Sequence, residues 1–209
     1  MKRPTPEIFH SESIRLMQLS LLGLALWIFL RSNWNPNSLH SYTVMHLFAE
    51  NLAVEISSYY RNLALAHGVI PKVFTLVNSD GDQYLFFIDD LRMEEAEESQ
   101  FLAYIIHAHD AVCYARGTLV ILDKTQQLIE FAVIDRDNEE AIVCSAELTR
   151  DMDDKPIGLT EFEKTLAPKR TIFFAGLFKP QNLSEDRVED FQSLWDEMKG
   201  KILHRTMGI

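Results

Sequence analysis

Cysteine is scarce in this chain of 209 residues: Cys113 and Cys144 are the whole complement, and each sits inside an apolar pattern rather than in a loop. Two such cysteines exclude the disulfide framework of a small secreted domain and make a reducing cytoplasm the default compartment. Glycine is also sparse, eight residues scattered singly. The sequence therefore holds no G-x-S-x-G nucleophile elbow, no P-loop and no G-x-G-x-x-G turn, each of which needs glycines at fixed spacing to bring backbone against a ligand. Internal repeats and low-complexity tracts are absent. Bases are outnumbered, with 20 Lys and Arg against 31 Asp and Glu. No basic cluster interleaved with aromatics offsets the net charge of -11, so the chain repels a phosphate backbone and direct nucleic-acid binding is not expected.

What is present is an ordinary folding composition, 47% hydrophobic and 24% charged, which excludes both disorder and a polytopic membrane protein. The length suits one domain with an extra segment. Charge is uneven along it: residues 1–77 are mildly basic, and residues 78–100 carry eight acids against one base. A solvated acidic face is the plain reading. A basic partner is the functional one, and an acidic decoy of nucleic acid is a further alternative, to be recognised by a regular, phosphate-like array of carboxylates.

Between Arg15 and Arg31 runs "LMQLSLLGLALWIFL", fifteen residues without a charge and apolar on nearly every side of a helix. A membrane span usually needs about 17–25 apolar residues and buried helices often show about 10–14, so length alone does not decide between them. Flanking arginines that can snorkel, and Trp27 and Trp34, speak for an anchor. Gln18 and Ser20 speak against it, and no small-residue cleavage site follows that would mark a signal peptide. The expected docking residues, on a partner chain or a membrane, are Leu19, Leu22, Leu26, Trp27, Phe29, Leu30 and Trp34. Residues 1–40 thus form a hydrophobic N-terminal helix and turn, and residues 41–209 a single α+β domain.

"NWNPNS" breaks this helix, and Ser41 can cap a second through "YTVMHLFAENLAVEISSYYRNLALAH", where Leu52, Ile56, Tyr59, Tyr60 and Leu63 recur at helical spacing up to Gly68. The two helices would make a hairpin. "KVFTLVN" and "QYLFFID" read as strands of a hairpin turning at Asp80-Gly81. Its "NSDGD" is not an EF-hand, because the register would put Leu76 at the first ligand position. Asp89 or Asp90 can cap the next helix, whose early turns hold Glu94, Glu95, Glu97 and Glu98 where the macrodipole favours acids, and which runs to about Gly117. "TLVILD", "LIEFAVID" and "EAIVCSAEL" then form an antiparallel meander. Residues 149–169 are a connection with room for one short strand or turn, "TIFFAGLF" a last strand, and "SEDRVEDFQSLWDEMKGKILHR" a final helix capped by Ser184. The order α-α-β-β-α-β-β-β-β-α implies an antiparallel sheet with packed helices. It resembles roadblock and profilin-like folds in topology only, and such sheets host unrelated functions.

The densest chemistry lies in "FLAYIIHAHDAVC", residues 101–113. On one helix the step from His107 to His109 is about 200°, which leaves the two side chains about 160° apart and unable to share a metal. The H-E-x-x-H pattern of helical zinc sites is missing. His109 falls on the apolar arc and is expected to be buried, His107 exposed. On a strand, Cys144 shares a face with Ile142 and Leu148, so His109, Cys113 and Cys144 are a geometrically conceivable zinc or thiol-imidazole site. A fourth zinc ligand is not indicated by spacing, and both thiols lie among apolar residues that keep them protonated.

The leading expectation is a non-catalytic binding or regulatory module that associates with a protein partner or with itself through the N-terminal helix, without a cofactor. It would be cytoplasmic, with membrane association through residues 16–30 as the other docking mode. The rival is a small enzyme or metal site at His109, Cys113 and Cys144.

Overall fold

A computed structural model of the chain describes residues 39–67, 71–122, 126–153 and 155–206. Residues 43–207 form one compact unit. It is an α+β fold: a long helix, then an antiparallel sheet carrying two further helices.

Helix α1 spans Leu39–His67. Its inward stripe is Phe48, Ala49, Leu52, Ala53, Ile56, Tyr60 and Ala64, all buried. Steps of three and four along this stripe keep one face on the sheet, and the alanines let the helix approach closely. Strands β1 (Val73–Asn78) and β2 (Asp82–Phe87) are the expected hairpin. Gly81 turns it at a φ of 83°, with its N–H donating to the Asn78 carbonyl at 3.1 Å. The Asn78 side-chain oxygen accepts from the N–H groups of Asp80 and Asp82, so the turn's donors are satisfied locally.

Helix α2 spans Glu95–Ala108 and α3 spans Glu185–Met198. Strands β3 (Ala111–Ile121), β4 (Gln126–Asp135) and β5 (Glu140–Arg150) are the meander. Strands β6 (Pro156–Leu159), β7 (Glu163–Pro168) and β8 (Leu203–Thr206) complete an eight-stranded sheet. Its order is β6-β5-β4-β3-β1-β2-β8, with β7 sharing the outer edge of β5. Residues 140–145 of β5 pair with β7, and residues 148–150 pair with β6.

Strand alternation assigns two faces. Thr75, Val77, Cys113, Ala115, Phe131, Val133, Ile142, Cys144 and Leu148 point toward α1. Tyr60 of α1 meets Phe131 with ring centroids 5.9 Å apart. The second face carries Phe74, Leu76, Phe86, Tyr114, Ala132 and Ile134, which pack with Phe101, Leu102, Ile105 and Ile106 of α2 and Phe191, Trp195 and Met198 of α3.

Several expectations are corrected. The helix through "FLAYIIHAHDAVC" stops at Ala108, nine residues short of Gly117, and β3 begins at Ala111. Asp110 makes the reversal at a φ of 47°, a conformation aspartate tolerates better than branched residues. Arg136 pairs with Asp110 at 2.8 Å and holds the corner. The N-cap of α2 is Glu94 without a side-chain bond. Asp89 instead accepts from the Lys72 N–H, and residues 88–90 form a 3-10 turn. Finally, "TIFFAGLF" is not a strand but part of two 3-10 turns, Lys169–Thr171 and Ala175–Phe178. With the edge of β5 already occupied by β6 and β7, these apolar residues plug the second face: Leu177 is buried, and the Tyr114 hydroxyl donates to the Phe174 carbonyl at 2.7 Å. Strand composition yields here to tertiary context. The final helix also ends earlier than its sequence suggests, at Met198, and residues 203–206 add β8 beside β2.

Candidate functional site

The expected docking residues Leu19, Leu22, Leu26, Trp27, Phe29, Leu30 and Trp34 lie outside the described residues. Among the described residues, no helix is long and apolar enough to cross a membrane.

His109, Cys113 and Cys144 are described, and the fold does not bring them together. Cys113, now on a strand, is fully buried on the α1 face opposite Asp135 of β4. Cys144 is buried on the same face, opposite Phe131. Their partners are four positions apart on β4, about 13 Å along the strand, and β3 and β5 lie two strand spacings apart across it. Both cysteines are free. Burial, reinforced by the Asp135 charge, raises the Cys113 thiol well above its ordinary range. Burial pushes Cys144 up to about 11, against the lowering effect of a hydrogen bond with Ser57. Neither is the low-pKa, accessible thiol that nucleophilic chemistry requires.

His109 is the C-cap of α2 and belongs to the opposite side of the sheet. It is half-buried rather than largely buried, and His107 is exposed. The imidazole sits between Tyr84 of β2 at 4.6 Å and Trp195 of α3 at 4.8 Å, and His204 of β8 stacks on Tyr84 at 4.7 Å. Burial lowers its pKa, and the charges of His204 and Lys199 act in the same direction. The arrangement is an aromatic clasp that ties β2, α2, α3 and β8 together. Among the described residues no group of three or more His, Cys, Asp or Glu could hold a metal ion.

Two surfaces are visible only in the fold. The first is the end of the β3–β4 hairpin, where Val120, Ile121 and Leu122 are all exposed. Three successive apolar residues leave no polar face in a strand. The unbroken run in "TLVILD" was the available signal. The second is the half of the second sheet face that α2, α3 and the 3-10 plug leave open. Past Tyr114 and Ala132 the register sets Glu130 beside Ser145 and Ser145 beside Glu163. The next row sets Val120 beside Leu128 and Leu128 beside Glu147. A cleft of about 450 Å³ marks the boundary, lined by Lys72, Glu95, Arg116, Glu130 and the segment Thr171–Phe174 among others. At its rim Phe173 is 81% exposed.

Arg116 closes the covered side of that boundary. It pairs with Glu98 of α2 at 2.6 Å, both side chains nearly buried, and its guanidinium lies 5.5 Å from the Phe174 ring centroid. Glu98 is thus one of the acids expected in the early turns of α2, turned inward as the partner of a strand arginine. Comparison of the chain with protein-family models, curated proteins and solved structures returns no match.

Proposed function

We propose that the protein is a non-catalytic binding or regulatory module that acts through protein association, with the hydrophobic segment Leu16–Leu30 as its docking element. The observation that supports a role in protein association is the consecutive exposure of Val120, Ile121 and Leu122 at the end of the β3–β4 hairpin. Clustered exposed apolar side chains characterise interaction surfaces. The uncharged run at residues 16–30 requires a cover of its own, since burying each large side chain is worth roughly 1.5–3 kcal/mol. The separation of His109 from both cysteines by the sheet removes the constellation that would favour an enzyme. The cysteine usage fits a reducing cytoplasm, and lipid is the competing cover for residues 16–30.

Sedimentation velocity on the full chain tests the reading, alone and with the double substitution Leu22→Glu, Leu26→Glu. Self-association, or a stoichiometric copurifying protein, that the substitutions release supports it. A monodisperse monomer in both forms overturns it. Sedimentation with membranes that resists high salt overturns it in favour of a lipid anchor.

A further inference from the structure

We propose that the open half of the second sheet face, over β3, β4 and β5, is a docking surface for a basic amphipathic helix of a partner protein. The proposal rests on the association reading above and names one surface and one kind of partner for it.

Dimensions come first. From Arg116 to Val120 on β3, opposite Val143 to Glu147 across β4 on β5, the open stretch is about 13 Å long at roughly 3.3 Å per residue, and the two strand spacings from β3 to β5 make it about 10 Å wide. A helix with its side chains is about 10–12 Å across, and about nine residues of it, two and a half turns, span about 13 Å. One helix fits. α1 already lies in this manner against the other face of the same strands, with Ser57 reaching Cys144 and Tyr60 stacking on Phe131. Next to the open half, the 3-10 plug ends in a step formed by Ile172, Phe173 and Phe174 at the cleft. Phe173 points away from the core and is 81% exposed, so a helix on the open strands would be flanked on one side by that ring. A side chain at Gly158, which pairs with Thr149 on this face, would meet nothing within 4 Å.

Chemistry then selects the occupant. The apolar content of the surface is a short stripe, Val120, Leu128 and Phe173, enough to seat one face of an amphipathic helix but not an all-apolar one. Around it stand Glu130, Glu147 and Glu163, and Glu95 at the cleft. Within this patch Arg116 is committed to Glu98, which leaves Lys72 at the cleft as the balancing base. The surface is therefore acidic with an apolar centre. An anionic lipid surface and a nucleic acid are repelled by it. A second copy of this chain is disfavoured, because the protein carries a net charge of -11 and its amphipathic helix α3 is itself acidic, "EDRVEDFQSLWDEM". Lysine or arginine flanking an apolar stripe at i, i+3, i+4 and i+7 meets both requirements, which is the helix-in-groove mode of recognition with charge complementarity setting the choice of partner.

The test uses the full chain and a 14-residue synthetic peptide with a leucine stripe at helical spacing and lysines on the flanks, with a glutamate-for-lysine peptide as its counterpart. Binding is read by fluorescence anisotropy and the footprint by amide hydrogen exchange. The lysine peptide is expected to bind at least tenfold more tightly than its counterpart and to protect β3, β4 and β5. The triple substitution Glu130→Gln, Glu147→Lys, Glu163→Lys should weaken it at least tenfold and Phe173→Ser at least threefold. Glu189→Lys, Asp190→Lys, Glu197→Lys, on exposed positions of α3, should change it less than twofold, with circular dichroism confirming that each variant is folded. Equal losses in the two triple variants mean that bulk charge alone attracts the peptide, and overturn the proposal. So does a footprint that leaves β4 and β5 unprotected. Self-association of the chain that the face variant abolishes would also overturn it, by making a second copy the occupant. These outcomes leave the association reading standing, since that reading is decided by the sedimentation experiment, in which no peptide is used.

Discussion

Gly117 shows how much one residue carries in this fold. A Cβ built there would lie 2.0 Å from the Tyr60 hydroxyl and 2.7 and 2.8 Å from two of its ring carbons. Tyr60 cannot retreat, because its hydroxyl bonds to the Pro71 carbonyl and accepts from the Val73 N–H, and its ring lies against Phe131. Gly117→Ala should destabilise the protein by about 1–3 kcal/mol, the usual cost of overpacking, as read by urea unfolding. In a Tyr60→Phe background only part of that cost should disappear, since the ring carbons still clash. His109 gives a second expectation at this scale. Tyr84, Trp195, Lys199 and His204 surround it, and Asp82 stands 3.6 Å from His204. Burial holds the folded-state pKa below the unfolded value near 6.5. The unfolded chain therefore takes up the proton first as pH falls. Stability contributed by the neutral imidazole is fully present above about pH 6.5 and declines as pH drops toward the folded pKa. Urea midpoints at pH 7.5 and 5.5 should fall more for the native chain than for His109→Gln, and equal falls would show that the clasp does not sense the proton.

At the scale of elements, α2 is joined to β3 by the nearly buried pair of Glu98 and Arg116. One guanidinium nitrogen, Nη1, is buried without a partner, so the pair is incompletely compensated. Glu98→Ala should cost about 3 kcal/mol by leaving the arginine charge buried, whereas Glu98→Leu with Arg116→Met should recover most of it. A double-mutant cycle measured by urea unfolding checks both statements. The same elements show what a reader of the sequence can and cannot see. The β1–β2 hairpin was legible because Asp80-Gly81 sits between two apolar runs and the turn is satisfied by its own residues. β4, β5 and the α1 stripe were legible from period alone. The end of α2 was not, because "HAHDAVC" keeps helical spacing of apolar residues across the corner and only the conformation at Asp110 ends it. "TIFFAGLF" has strand composition, and its fate depends on β6 and β7 having taken the edge of β5, a long-range fact. For the candidate site the limits are of the same kind. The apolar run at Val120–Leu122 was in view, but the acids Glu130, Glu147 and Glu163 share a surface only through strand register. The conceivable cluster of His109, Cys113 and Cys144 fails because the sheet passes between them.

For the molecule as a whole, the question is whether residues 43–207 close their core without help from the hydrophobic run at Leu16–Leu30. The expected answer is yes, because helices of this unit pack on both faces of its sheet. α1 covers Phe131, Val133, Ile142, Cys144 and Leu148 on one face, and α2, α3 and the 3-10 plug cover Tyr114, Ala132 and Ile134 on the other, all of them buried. β8 extends the sheet at its far edge and is tied to α1 through Arg205, which bonds to both Glu55 and Gln83. A chain beginning at Ser38 keeps α1 whole. It should unfold in urea in one cooperative transition, with a free energy within about 1 kcal/mol of the full chain, because surface left intact contributes equally to both. It should also lose the self-association or partner binding of the full chain, since the run proposed to dock is gone, while the basic peptide still binds its open sheet face. A truncated chain that binds hydrophobic dye and lacks a near-ultraviolet dichroism signal would show that the first 37 residues belong to the core. In that event the run at 16–30 would be an internal helix of the fold, and the search for its partner would turn inward.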